Sequence, residues 1–339
     1  EPLAINFTHL PILSELAIAD GCNLACRFCY AGCAGTTARI ARKQLARRQY
    51  MRIIEIIARD ARVPSISFTG GEPTTNPALP ALVRHAKQFD MRVNLITNGT
   101  LITPALAREL AAAGLDSAQV SIEGPDATTH EALTTIAGSF AASVAGLAAL
   151  REAGILAHMH TTLTAANAPV AHEMPAFARS LGLARLSMNM LIPTGDAPAS
   201  PDLAIRYTQI GSIVLGVQQA ARATGVEFFW YSPTPLCLFN PIAHGLGNKG
   251  CSACDGLLSI AADGRLAPCS SWAGTLDSIL EKGFSAVWDS RQAAAIRAKD
   301  LAPPGCRTCQ HFAACHGACP IYFNHFGHSE LPQPAEVTP

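Results

Sequence analysis

The chain has 339 residues, long enough for roughly two domains of about 150 residues each and for a sizeable core. Lys plus Arg is 25 and Asp plus Glu is 25, so the formal charge is zero, which excludes a general electrostatic grip on nucleic acid or on an anionic membrane. Apolar content is 49% and no apolar run reaches the ~18 residues of a membrane helix, so the chain reads as globular, neither disordered nor membrane-spanning.

In chain order, residues 1–14 read as a lead-in, too short for a peptide-recognition module of their own, with a natural start expected upstream of Glu1 and no signal peptide in what remains. Residues 15–235 then repeat one theme, a short apolar run followed by a helical pattern. Glu15–Asp20, Ser65–Thr69, Arg92–Thr97, Ala118–Ile122, His158–Leu163 and Arg185–Leu191 are predicted strands, β-branched and apolar and followed in several cases by turn residues. Tyr50, Ile53, Ile54 and Ile57 form an i, i+3, i+4, i+7 stripe on a predicted helix. Thr103-Pro104 is an N-cap and first-turn pair for a helix closed by Gly114, and another helix runs from Ser139 to Gly154. Alternating strand and helix at this period means βαβ units on a parallel sheet. Six units suit an open, partial (β/α)6 barrel of the TIM type, with chemistry at the carboxyl ends of the strands.

After about 235 the theme breaks. Prolines, glycines and eight of the 12 cysteines appear, and helical signals thin out apart from 284–299. Residues 236–330 therefore read as a small cysteine-rich domain whose core is metal rather than hydrocarbon, and 331–339, with three prolines, as a disordered tail. Within the second zone, Leu257–Ile260 and Leu266-Ala267 flank Ala262-Asp263-Gly264, a hairpin that sets Cys254 beside Cys269.

All 12 cysteines lie in 22–33 and 237–319. Disulfide staples belong to small chains short of core, so the short spacings point to bound metal in a reducing, cytoplasmic setting. Cys22, Cys26 and Cys29 form C-x3-C-x2-C directly after the first predicted strand. Three thiolates on one loop can hold three irons of a 4Fe–4S cube and leave the fourth open to a ligand.

This pattern resembles the radical SAM superfamily, down to Phe28 before the third cysteine, and the likeness extends over nearly the whole chain. Phe68-Thr69-Gly70-Gly71-Glu72-Pro73 looks like the family's GGEP motif, Thr97-Asn98-Gly99 is similar to its next strand end, Ser121-Ile122-Glu123-Gly124 to its S-[IL]-[DE]-G segment, and Ile192-Pro193-x-Gly195 to its adenine-side loop. The resemblance implies that Gly70, Gly71, Glu72 and Pro73 hold the methionine moiety of S-adenosyl-L-methionine (SAM), joined by Asn98, Ser121 and Ile192. It also implies electron transfer into SAM, homolysis to a 5′-deoxyadenosyl radical, and abstraction of an unactivated hydrogen, with a reductase, ferredoxin or flavodoxin as electron donor. Cys33 extends the motif. It reads either as a fourth ligand that closes the cluster or, as we expect, as a small buried side chain.

The downstream spacing, Cys254-x9-Gly264-x4-Cys269 and then Cys306-x2-Cys309-x5-Cys315-x3-Cys319, resembles the SPASM extension, which carries two auxiliary 4Fe–4S clusters. By that resemblance Cys254, Cys269 and Cys319 serve one cluster, completed by Cys251 or Cys237, and Cys306, Cys309 and Cys315 serve the other. The family's last cysteine is missing, because nothing after Cys319 is Cys. The fourth ligand is then Cys237, His325 or His328, a carboxylate, water, or a substrate atom. C-x2-C pairs taken alone also permit a zinc ribbon.

The leading expectation is a SPASM-type maturase acting on a peptide or protein side chain by oxidative crosslinking or dehydrogenation. A cofactor-precursor or small-molecule enzyme of the same superfamily, of tetrapyrrole or quinone type, is the alternative. A non-catalytic iron–sulfur electron carrier with Cys33 closing the first cluster is a third. No residue stands out as a catalytic base. Glu123 and Asp126 read as strand-end or turn residues, and Glu15 and Asp20 as edge polar groups.

Overall fold

The computed structural model describes residues 10–33 and 45–332; the expected disordered tail lies almost wholly outside them, as do the first nine residues. Seven strands, β1 (Leu13–Ala19), β2 (Ser65–Gly70), β3 (Arg92–Thr97), β4 (Ser117–Ser121), β5 (Leu156–Leu163), β6 (Arg185–Met190) and β7 (Glu227–Trp230), pair in parallel, each with the next. Parallel neighbours need crossovers, and α1 (Arg47–Arg59), α2 (Leu79–Lys87), α3 (Pro104–Ala113), α4 (Ala127–Thr134), α5 (Ser139–Glu152), α6 (Met174–Ser180) and α7 (Tyr207–Thr224) lie in them. β7, a seventh strand where six were expected, is an aromatic run of four residues (EFFW) that follows the left-handed Gly225 cap of α7.

The expected hairpin forms as β8 (Leu257–Ile260) against antiparallel β9 (Leu266–Ala267). β8 also pairs in parallel with β1, so that Glu15 faces Ser259 and one nine-stranded sheet runs β7-β6-β5-β4-β3-β2-β1-β8-β9. The sheet is thus continuous across the boundary expected at 235/236. Tyr50 of α1 reinforces the junction: its hydroxyl donates to Ala262 O at 3.2 Å and to Ile18 O at 3.4 Å.

The strands alternate with period two. Leu16, Ile18, Ile66, Phe68, Val93, Leu95, Ala118 and Val120 are 0–1% exposed and pack beneath the helices. The helix stripe Tyr50, Ile53, Ile54 and Ile57 meets that face fully buried, each aliphatic side chain contributing about 1.5–3 kcal/mol. The opposite face is polar: Glu15, Ser67, Asn94, Gln119, His160 and Asn189 line a cavity inside the open barrel. Glu15 is therefore not an edge group, since β1 is an interior strand and its side chain faces the cavity.

The cap chemistry follows the sequence. Thr103 accepts from Leu106 N at 3.1 Å, and Gly114 closes α3 at φ +94°. Among the described residues no single helix is long and apolar enough to cross a membrane.

One buried histidine ties α4 to the end of β4. His130, 1% exposed, accepts from Glu123 N at 3.0 Å through Nδ1, and burial lowers its pKa from 6.5 to about 4. The unfolded chain takes up a proton below 6.5 that the fold refuses, so this contribution is present above pH 6.5 and is lost as pH falls towards about 4. We expect this group alone to lower the unfolding free energy as pH falls through that window, with a slope approaching about 1.4 kcal/mol per pH unit, read as the difference in pH dependence between wild type and His130→Gln.

Candidate functional site

The cavity, about 950 Å³, opens where the strands end and lies between the first cysteine loop and the cysteine-rich segment. Its wall is assembled strand by strand. After β1, Cys22, Cys26 and Cys29 sit on a loop hung from α4: Arg27 N donates to Leu133 O at 3.0 Å, Ala25 N to Thr134 O at 3.3 Å, and Thr135 Oγ1 to Ala25 O at 2.8 Å. Phe28 packs on the apolar cluster of Leu133, Leu191 and Leu203 and turns the loop so that all three cysteines line the cavity.

β2 ends against the same loop. Gly71 N donates to Ala19 O and Glu72 N to Gly21 O, both at 2.9 Å. A Cβ on Gly70 would stand 2.3 Å from Ala19 O, and one on Gly71 2.2 Å from Gly21 O. Only glycines let these two segments approach this closely, and the approach brings the glycine turn against the backbone of Cys22. Gly70 and Gly71 line the cavity.

Glu72 and Pro73 stand behind that wall rather than on it. Pro73 is buried in a short turn capped by Glu72. The Glu72 carboxylate is 0% exposed and accepts four bonds: Oε1 from Thr74 N (3.0 Å), Thr74 Oγ1 (2.5 Å) and Thr97 Oγ1 (2.7 Å), and Oε2 from Asn98 N (2.8 Å). It locks the end of β2 to the end of β3, and burial pushes its pKa up against these opposing bonds.

Asn98, Ser121 and Ile192, at the ends of β3, β4 and β6, all line the cavity. Asn98 Nδ2 lies 3.6 Å from Cys22 Sγ and 2.9 Å from Asn23 Oδ1. The segment after β6 locks the cysteine loop from the other side, with Asp196 N donating to Cys29 O at 2.8 Å. Gly195, at φ +62°, permits this: a Cβ there would lie 2.2 Å from Cys29 O and 2.5 Å from Tyr30 O. Gly195→Ala is expected to lower stability by on the order of 2 kcal/mol or more, read as a denaturant midpoint, and to reduce iron held by the first cysteine loop.

Cys33 is 4% exposed and packs against Cys22 and Leu24. Its thiol donates to Ala31 O at 3.6 Å, and its closeness to the Cys29 sulfur lowers the Cys29 thiol to about 7. Burial pushes Cys22 up to about 11, and burial together with the nearby Glu123 raises Cys26.

Two further groups of sulfurs lie on the cysteine-rich side, with Cys251 of the first lining the cavity. Cys251 and Cys319 lie close enough to raise Cys269, and Cys251 raises Cys319 and Cys254. Cys254 is held by Pro268 O (3.0 Å to its N) and by Arg297 Nε on its carbonyl (2.8 Å), Cys251 by Lys299 Nζ on its carbonyl (2.7 Å). Burial, with the neighbouring sulfurs, lifts Cys254 to about 11 and Cys319 to about 12. Cys306, Cys309 and Cys315 lie on consecutive tight turns, with Cys309 N donating to Cys306 O at 3.1 Å and Phe312 N to Cys309 O at 3.0 Å. Among the described residues no three His, Cys, Asp or Glu side chains converge tightly enough to hold one metal ion. Crowded thiols that resist ionisation are what iron relieves, because bound metal supplies the positive charge that holds them as thiolates. Iron–sulfur clusters fit this donor set.

Sequence reasoning missed the inner-wall residues Gln119, His160, Asn189, Tyr231 and Lys249. A signal for those on the strands was present: every second residue is polar, which marks a wet inner face rather than an edge. Glu123, 3% exposed, lines the cavity too; its Oε2 accepts from Thr162 N at 2.8 Å, and burial raises its pKa to about 8. His325 and His328 are exposed, with ring contacts to Phe326 at 4.6 Å and Phe323 at 5.6 Å.

Comparison with known proteins agrees with this geometry. The radical SAM superfamily model matches residues 16–167, and the SPASM iron–sulfur cluster-binding domain model matches 251–310. The chain is 26% identical over 326 residues to an AdoMet-dependent heme synthase of Methanosarcina barkeri, with 92% of each chain covered. It is 28% identical over 319 residues to the mycofactocin maturase MftC of Mycolicibacterium smegmatis, covering 91% of this chain and 78% of that one. Streptococcus suis SuiB bound to its precursor peptide SuiA shares the fold, with TM-score 0.76, 18% identity, and 93% of this chain and 73% of that one covered. The chain belongs to the radical SAM superfamily, as an enzyme with a SPASM iron–sulfur domain whose cofactors are 4Fe–4S clusters and SAM.

Proposed function

We propose that this enzyme is a maturase that removes hydrogen from a side chain of a peptide or protein, leaving a crosslink or a double bond. Cys22, Cys26 and Cys29 hold the cluster that binds SAM; Cys251, Cys254, Cys269 and Cys319 hold a first auxiliary cluster, and Cys306, Cys309 and Cys315 a second. When bound, the first cluster would supply the electron for cleaving SAM, and SAM the hydrogen-abstracting 5′-deoxyadenosyl group. The chain's own residues position and shield that event. Backbone at Gly70 and Gly71 shapes the methionine end of the SAM site, with Ser121 and Ile192 along the nucleoside. Glu72 acts from behind, by holding Asn98 and the glycine turn in register. Cys33, buried beside Cys22 and donating to Ala31 O, stays off the cluster. An exogenous reductase, ferredoxin or flavodoxin supplies the electron.

The observation that carries the peptide reading is the charge of the cavity wall. Among the described lining residues Lys249 is the only Lys or Arg, against Glu15, Glu123 and Asp255. A substrate bearing several carboxylates, such as a tetrapyrrole, needs several cations to replace its hydration. A neutral side chain on a peptide finds neutral Ser, Asn and Gln. The volume, near the upper end of the roughly 300–1,000 Å³ of ligand pockets, admits a second reactant beside SAM. SuiB, solved with a precursor peptide, supports the same reading. The test is anaerobic incubation of the reduced enzyme and SAM with peptides encoded by adjoining genes and, separately, with carboxylated tetrapyrroles. Loss of two hydrogens from a peptide, matched by 5′-deoxyadenosine, is expected. Conversion of the tetrapyrrole with the peptides unchanged would refute the reading.

A further inference from the structure

We propose that Cys237 is the fourth thiolate of the second auxiliary cluster, in place of the cysteine absent beyond Cys319. The inference rests on the assignment of Cys306, Cys309 and Cys315 to that cluster. Cys237 lies far upstream of all three in sequence, just after β7, and three contacts bring its loop to them. Leu236 N, one residue before it, donates to Cys315 Sγ at 3.4 Å. Asn248 Nδ2, on the same loop, donates to Ala314 O at 3.0 Å. Tyr207 joins the two segments, giving its hydroxyl to Pro233 O at 3.1 Å and accepting from Cys319 N at 3.4 Å.

The local backbone presents the thiol. Leu238 N and Phe239 N both donate to Pro235 O, at 2.9 and 3.0 Å, and Thr234 Oγ1 donates to Phe239 O at 3.2 Å, which closes a tight turn that leaves Cys237 exposed near its tip. Of the other candidates, Cys251 sits with Cys254, Cys269 and Cys319, and the exposed His325 and His328 touch the rings of Phe326 and Phe323.

Four thiolates close every iron of the cluster, so it has no vertex for a substrate atom and carries electrons only. The Leu236 amide on the Cys315 sulfur adds a hydrogen bond of the kind that sets cluster potential.

The test uses the full chain, reconstituted anaerobically, with iron, sulfide and the electron paramagnetic resonance of the reduced protein as readouts. Wild type is expected to hold about 12 irons. Cys237→Ala should lose up to a third of that iron, or show a three-iron signal, while the SAM-perturbed signal of the first cluster persists. Cys237→Ser, which ligates through oxygen, should keep the iron and shift the spectrum and midpoint potential of one cluster. Wild-type iron and spectrum in Cys237→Ala, or an unshifted Cys237→Ser, would overturn the proposal. Cys306→Ala separates the two levels. If it loses iron while Cys237→Ala does not, the three-cysteine assignment stands and Cys237 is excluded; if neither loses iron, the assignment itself falls, and the proposal with it.

Discussion

Cys29→Ala will abolish reductive cleavage of SAM, lowering 5′-deoxyadenosine formation by about three orders of magnitude or more, while the barrel stays folded. The size of the effect follows from the division of labour, in which the cofactor carries the hard chemistry and the protein supplies binding and orientation. Cys29 is held by the loop's own hydrogen bonds and by Asp196 N on its carbonyl, neither of which needs the side chain. The fold should therefore survive. The expected signature is loss of iron and of product with little change in denaturant midpoint; retained turnover would remove Cys29 from the ligand set.

Glu72→Ala should be the most damaging substitution outside the cysteines. It deletes four accepted bonds at a site with no solvent, stranding Thr74 N, Thr97 Oγ1 and Asn98 N. Buried donors without partners, plus the void, place the cost at about 3–5 kcal/mol. Glu72→Gln should cost about 1–3 kcal/mol, because an amide NH2 would then face another donor. SAM affinity should fall with stability in both, since Asn98 and the glycine turn lose their common anchor. Unfolding curves and SAM binding read the two effects. A change below about 1 kcal/mol in Glu72→Ala would show that the carboxylate is free to serve SAM rather than the fold.

Much of the fold was legible because its signals are local. The six expected strands, the Thr103 and Gly114 caps and the 257–267 hairpin all lie near their predicted places, since periodicity and turn residues act within a few positions. The β8–β1 pairing was not legible. Parallel partners far apart in sequence leave no turn signature, and nothing in Leu257–Ile260 names Leu13–Leu16 as its neighbour. β7 was missed because four residues are too short for a period to show. In the site, the cysteine spacing and the glycine pair could be read directly from the chain. The standing of Glu72 behind the wall could not, because it depends on Thr97 and Asn98 arriving from the next strand. Glu15 misled for the same reason: an interior place in the sheet is a fact about β8, not about β1.

The most direct measurement is 5′-deoxyadenosine released by dithionite-reduced enzyme with SAM, wild type against Cys33→Ala. Product from both proteins is expected, with Cys33→Ala retaining its first-cluster iron, because the account keeps Cys33 off the cluster as a small buried side chain and leaves one iron for SAM. No product from wild type, and its appearance only in Cys33→Ala, would place that fourth sulfur on the cluster and contradict the account.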